Sequence, residues 1–381
     1  MRSTTIFIPL LLSNSLTACT DEPEPQPEPV TIAIAADKAP ALVAFRDGLD
    51  GDWQTATMKT PTSFEAVVHG PYVISVACEN LTTGEFTTRQ VARTPEDEHD
   101  VKLECEPAAP STHAITGHMM QAGRVQLGGA SKTSQTADWD FALDVPSGTY
   151  DLMASTADRI ALRRAIAITG DLEITAPIDL AQEGKDLAAA AFTVTNAAAN
   201  ETLSAAVSLG KAGQKLAFDV YQGPIATAKI APDSALVESD LQRAAVTATA
   251  GNERRTLSRS FRVGGTTAYT LPAPLTGMKW EQANGNLAVS WGAITEPASF
   301  TVDVSGASAD GSKHQRHHLE ISSRFAAETK ITRATVDTSI AGYKPEWKID
   351  LAREYTRTLT VERASNNELA TNAVSEIANK Q

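Results

Sequence analysis

The chain has 381 residues, a formal net charge of −13, 42% hydrophobic residues and 21% charged residues. That length exceeds the ~250–300 residues one core can serve, so two to four domains are expected. The acidic balance argues against a nucleic-acid partner, because phosphate binding needs clustered Lys and Arg; it suits solubility instead.

The first residues have the layout of an export leader. Arg2 supplies a positive end and an apolar stretch follows over residues 6–12. The stretch is shorter than the ~20 residues needed to span a bilayer, and it has the flanks of a secretory signal. No later apolar run is long enough to cross a membrane as a helix. The leader ends in Leu16-Thr17-Ala18-Cys19. This segment resembles the bacterial lipobox, in which an aliphatic residue and two small residues precede a cysteine. Thr17 stands where Ala or Ser is commoner. The resemblance covers the first twenty residues and implies a lipoprotein: removal of signal peptide 1–18, acylation of Cys19 with palmitate-type chains, and membrane lipid as a partner. One acyl chain binds only marginally, whereas two or three make release negligible at about 0.8 kcal/mol per buried CH₂. Thr20 follows the cysteine and Asp21 comes one place later. Under the lipoprotein sorting rule this favours the outer membrane, so the expected location is the bacterial cell envelope. Residues 19–29 then alternate proline with acidic residues. They form an extended spacer of about 3.1 Å per residue.

Two further cysteines, Cys78 and Cys105, make an even pair in an oxidising compartment and are expected to form a disulfide. A loop of that size stabilises by about 3–4 kcal/mol. A metal pair is the alternative, but no neighbour supplies the other two ligands that zinc requires.

Most of the remaining chain alternates apolar and polar residues with period two, punctuated by Gly, Pro, Asn and Asp. That pattern predicts an all-β protein of tandem antiparallel β-sandwiches. A first domain, 30–107, has strands at 30–34, 41–45, 53–58, 64–68, 72–78 and 101–105. A second, 111–183, repeats its plan, since residues 141–154 echo residues 64–77. The echo spans a Phe-led strand, a Pro/Gly turn and a Tyr-led strand. This unit resembles the prealbumin-like sandwich of carboxypeptidase regulatory-like domains, which implies non-catalytic modules with apolar side chains facing a shared core. A third segment, 186–274, has a weaker sandwich pattern, and residues 233–245 are its best helix candidate. A fourth, 275–381, carries Leu287-Ala288-Val289-Ser290-Trp291 after a turn. That strand resembles the second strand of fibronectin type III domains, which implies that Trp291 fills the space between sheets. Tyr355 would lie on the later tyrosine-bearing strand.

Candidate chemistry is sparse. Asp47, Asp50 and Asp52 share a glycine-containing loop and are weak calcium candidates. The spacing lacks the EF-hand ladder, and Asp-Gly between strands is itself a hairpin signal. His314, His317 and His318 would share a face on a helix, but their flanks predict a solvated strand or loop end. Arg254, Arg255, Arg259 and Arg262 are expected to mark a polar sheet edge protected against pairing. Trp53 and Trp139 lie near turns and are candidate glycan-stacking platforms. There is no G-x-S-x-G elbow, no phosphate-cradling glycine loop and no zincin motif. No catalytic residue, metal or cofactor is therefore expected. The expected role is a non-catalytic, membrane-anchored envelope protein that binds an envelope partner or acts as a spacer. A glycan- or polysaccharide-binding lipoprotein is the alternative, and a hydrolase the more remote one.

Overall fold

The computed structural model describes residues 28–79, 85–97, 99–103, 105, 110–211, 217–261, 267–283, 286–308, 311, 313–365 and 368–378. The leader, Cys19 and Arg262 lie outside the described residues.

The first sandwich comprises β1 (Val30–Ala36), β2 (Leu42–Asp47), β3 (Gln54–Thr55), β4 (Thr57–Thr60), β5 (Ser63–Val68), β6 (Tyr72–Glu79), β7 (Phe86–Arg93) and β8 (Asp100–Leu103). One layer runs β4-β5-β1-β8 and the other carries β7-β6-β2-β3. Alternate residues explain the packing: Ile32, Ile34, Phe64 and Ala66 from one layer meet Val43, Phe45, Ile74 and Val76 from the other. The Cys78–Cys105 disulfide is formed at the edge of this core.

The second comprises β9 (Thr112–Met119), β10 (Gly123–Leu127), β11 (Ala130–Ser134), β12 (Trp139–Pro146), β13 (Gly148–Ser155), β14 (Arg159–Ile168) and β15 (Leu172–Ile178). It repeats the topology of the first. β9 pairs antiparallel with β12 and parallel with β15, as β1 pairs with β5 and β8. The order β10-β13-β14 matches β2-β6-β7. The hairpin echo in the sequence therefore extends to the whole seven-strand plan. Gly148, at φ +154°, sits under Tyr150, whose hydroxyl would lie 2.7 Å from any Cβ placed there.

After β16 (Lys185–Asp186), which pairs with β14 at the edge of the second sandwich, the third segment comprises β17 (Ala188–Ala189), β18 (Phe192–Thr195), β19 (Thr202–Lys211), β20 (Ala217–Pro224), β21 (Lys229–Ile230), β22 (Asp240–Ala250), β23 (Glu253–Phe261) and β24 (Thr267–Thr270). Its β20-β19-β22-β23 sheet is covered by the short pairs β17-β21 and β18-β24. The expected helix over 233–245 is corrected. Only Asp233–Ala235 turns, as a 3₁₀ segment, and β22 follows. Asp240, Gln242, Ala244, Val246 and Ala248 are buried on alternate positions. Pairing with β19 on one side and β23 on the other overrides local helix propensity.

The fourth comprises β25 (Lys279–Ala283), β26 (Asn286–Ser290), β27 (Ser299–Ala307), β28 (His314–Ile321), α1 (Ser323–Thr329), β29 (Arg333–Val336), β30 (Tyr355–Ser365) and β31 (Glu368–Ala378). The sheet β25-β26-β29 packs on β31-β30-β27-β28. Trp291 is buried and stacks on Phe300 at 4.7 Å, and Tyr355 is buried in the same core.

The first, third and fourth units are joined edge to edge, and the second packs against the third through a shared core. β23 pairs antiparallel with β31, and β28 pairs parallel with β7, so twelve strands form one sheet from β20 to β3. The expected exposed arginine edge is thereby corrected. β23 lies between β22 and β31, and Arg255 is 1% exposed. It is tolerated because Glu201 accepts from its Nε and Nη2 at 2.9 and 2.5 Å, and the carbonyls of Pro272 and Asn196 accept from Nη1 and Nη2.

Candidate functional site

Two polar hollows lie at the joints between units. The first separates the first sandwich from the fourth, where the β2–β3 loop faces the turn after β29. Asp337 is its hub. Its Oδ2 accepts from Arg46 Nη1 and Trp53 Nε1, both at 2.9 Å. Its Oδ1 accepts from Asn286 Nδ2 at 3.1 Å and from the Ser339 amide at 2.8 Å. Burial pushes this carboxyl up, but the Ser339 and Trp53 hydrogen bonds and the Arg46 charge outweigh it and hold the group below its usual range. Burial also draws the Arg46 guanidinium down, against Asp337 and Asp50. Arg46 lies 4.4 Å over the Trp53 ring, and its buried Nε has no hydrogen-bond partner among the described residues. A groove of about 510 Å³ opens beside it, lined by Asp50, Asp52, Trp53 and Thr335 among others. It continues as a stretch of about 450 Å³ along residues 329–333, sharing Arg46, Leu49 and Asp50.

The structure separates the three loop aspartates. Asp47 accepts from the His69 amide at 3.0 Å and meets its Nδ1 at 3.2 Å, while Asp50 and Asp52 line the groove. Among the described residues no group of three or more His, Cys, Asp or Glu is placed to hold a metal ion. Trp53 is half-buried, with its N–H committed to Asp337. Trp139 donates to the Gln121 carbonyl at 2.9 Å and packs edge-on against Phe141. Neither is an open platform.

The histidine run forms β28, but the expectation of a solvated strand is corrected. β28 is interior to the twelve-stranded sheet, and His317 is 2% exposed. Its Nε2–H donates to the Trp347 carbonyl at 3.1 Å, a tautomer fixed by that acceptor. His318 meets Asp303 at 2.8 Å on the opposite face, and His314 is exposed. Burial pushes the His317 imidazole down from 6.5 to about 4. An unfolded chain therefore holds this proton over pH 4–6.5 while the folded chain does not. The stabilising contribution is complete above about pH 6.5 and is lost as pH falls towards about 4, roughly 3 kcal/mol at ~1.36 kcal/mol per unit. Unfolding midpoints at pH 7 and pH 4.5 should diverge more in the native chain than in His317→Gln. Equal divergence in both would refute the assignment.

The second hollow, a cavity of about 200 Å³, lies between the second sandwich and the third unit. Asp151 and Asp240, with side chains 5% and 2% exposed, share Arg164. Arg164 Nη1 reaches Asp151 at 2.8 Å and Asp240 at 3.1 Å, and Nη2 reaches Asp240 at 2.7 Å. Lys211 Nζ lies 3.0 Å from Asp151. A bulge aims this cluster. β14 carries Arg164 and Ala165 where β13 carries only Asp151, and Ala165 takes φ +55° with its amide bonded to Asp151 at 2.9 Å. Burial raises the Asp151 carboxyl, but the Ala165, Arg164 and Lys211 hydrogen bonds prevail and hold it low. Tyr150, Leu209 and Phe218 supply apolar wall.

Sequence reasoning missed this cluster, yet a signal was present. Aligning Tyr72 with Tyr150 puts Asp151 where the first copy has Val73. Val73 packs against the fourth sandwich, so an aspartate there marks an outer face that meets a partner of different chemistry.

No protein-family model matches the chain, and no curated protein matches it. Among solved structures, the FN1-FN3 domains of chicken CNTN1 match at 9% identity, covering 82% of this chain and 95% of that one, with a TM-score of 0.17. A likeness that low carries no argument, and the β-sandwich assignment stands on the sheets themselves.

Proposed function

We propose that the chain is a non-catalytic bacterial envelope lipoprotein, held by acylated Cys19 in the outer membrane and displaying joined β-sandwiches for binding or spacing. The carrying observation is the hydrogen-bonded continuity of the first, third and fourth units, with the second packed on the third, which supports reading the series of modules as one scaffold. The shared seven-strand plan of the first two units supports a prealbumin-like, regulatory-domain reading. The three-on-four layering of the fourth supports a fibronectin type III reading. Labelling with radioactive palmitate, followed by detergent phase partition, tests the anchor. The native chain should carry label and enter the detergent phase, and Cys19→Ser should do neither. A labelled Cys19→Ser chain would remove the proposal.

A further inference from the structure

The geometry points to the groove between the first and fourth sandwiches as a saccharide-binding site, in which Asp50 and Asp52 accept ligand hydroxyls and buried Arg46 donates. This rests on the reading of the chain as a displayed binding scaffold and names the ligand class of one joint. Three observations carry it. The groove is a formed space of about 510 Å³ with a further arm of about 450 Å³, open enough for several linked rings. Arg46 is nine-tenths buried at its wall and holds Asp337 through Nη1, so its guanidinium is fixed in place beside the groove. Asp50 and Asp52 are exposed at the same wall, and among the described residues no hydrogen bond or salt bridge holds either, although the Asp50 charge acts on Arg46.

The charge pattern selects the ligand. An anion would meet Asp50 and Asp52 at the mouth, and a cation would meet Arg46 and Arg333 along the two arms. A neutral ligand that donates and accepts from the same group suits both, and vicinal hydroxyls do so. The solvent-reached part of Trp53 and the Thr335 side chain complete a surface that is partly aromatic and partly hydroxylic. The sequence had already singled out Trp53 as a stacking residue. In the structure its role is to wall the groove, with one face held by Arg46.

The full chain in detergent is applied to an array of defined bacterial and plant oligosaccharides, with hexalysine as the cationic control. It should hold at least one glycan. Asp50→Asn with Asp52→Asn should weaken that binding tenfold or more, Thr335→Val should weaken it less, and Trp139→Ala should leave it unchanged. The aspartate and Thr335 variants are checked for an unaltered unfolding midpoint. No glycan held, a glycan indifferent to the aspartate pair, or hexalysine held in its place would overturn the site. Cys19→Ser protein is run in parallel. If it holds the glycan equally, the groove stands whether or not the anchor does.

Discussion

Arg164→Met is expected to destabilise the joint between the second sandwich and the third unit by about 3–5 kcal/mol, because it strands buried charge. Arg164 is the shared partner of two carboxylates that are almost fully removed from water. Without it, Asp240 keeps only the Val237 amide, at 2.9 Å, and Asp151 keeps Lys211 and the Ala165 amide. Removing one partner of a buried pair costs far more than replacing the whole set, since the remaining charge must be desolvated alone or take up a proton. Arg164→Met with Asp240→Asn should therefore recover part of the loss. Guanidinium unfolding followed through Trp139 fluorescence reports this region, because no other tryptophan lies between residues 111 and 274. An unshifted midpoint in Arg164→Met would mean that the cluster is solvated and contributes nothing. The several joined units preclude a single two-state analysis, so the local midpoint is the quantity to compare.

Trp347→Ala should cost a similar amount, about 3–5 kcal/mol, at the other joint. Trp347 is 6% exposed and stacks on Phe86 at 4.3 Å with an 11° interplanar angle. Tyr343 meets its edge at 5.6 Å, and its carbonyl accepts from His317. Tyr343 in turn reaches Thr88 at 2.7 Å, and Gln90 reaches the Asp337 carbonyl at 2.8 Å. The loop carrying Trp347 therefore binds the outer face of β6 and β7 to the fourth sandwich, with Ala44, Ala77 and Ile340 filling between. Losing the indole should open the parallel β7–β28 ladder, read as faster amide exchange over residues 86–93 and 315–321. Amides of β10, β13 and β14 should be unaffected. Unchanged exchange across β7 and β28 would show that the ladder, and not the aromatic wedge, holds the two units together.

Both joints illustrate why the surface of a sandwich is harder to read than its core. Residues 72–78 and 151–155 are buried on both faces. Such runs lack the apolar–polar alternation of a half-exposed strand, and they show that something covers the outer face without saying what. For the first copy the cover is the loop of Ile340, Tyr343 and Trp347 together with the core of the fourth sandwich, which Val73 and Ala92 join. For the second it is the third unit, whose Val207 and Leu209 share a core with Met153 and Ile160. The strand Phe86–Arg93 carries Thr87, Thr88, Arg89 and Gln90 at its centre, so it gives no apolar alternation. Its pairing with β28 is nonetheless what joins the first sandwich to the fourth. Arg255 and Arg259 of β23 fall on one face of an extended strand, but the strand's place within the sheet was not legible.

The amino-acid order alone settled the all-β class, the repeated Phe-strand, turn, Tyr-strand hairpin, the Cys78–Cys105 pair and the burial of Trp291. Each of these is written in residues that are neighbours in the chain or follow the two-residue period of a strand. Only the tertiary structure decided which strands are edges, that twelve strands share one sheet, and that Asp337 and Arg164 sit at the joints. Those outcomes depend on backbone pairing and charge compensation between segments far apart in the sequence, and no local period encodes a distant partner.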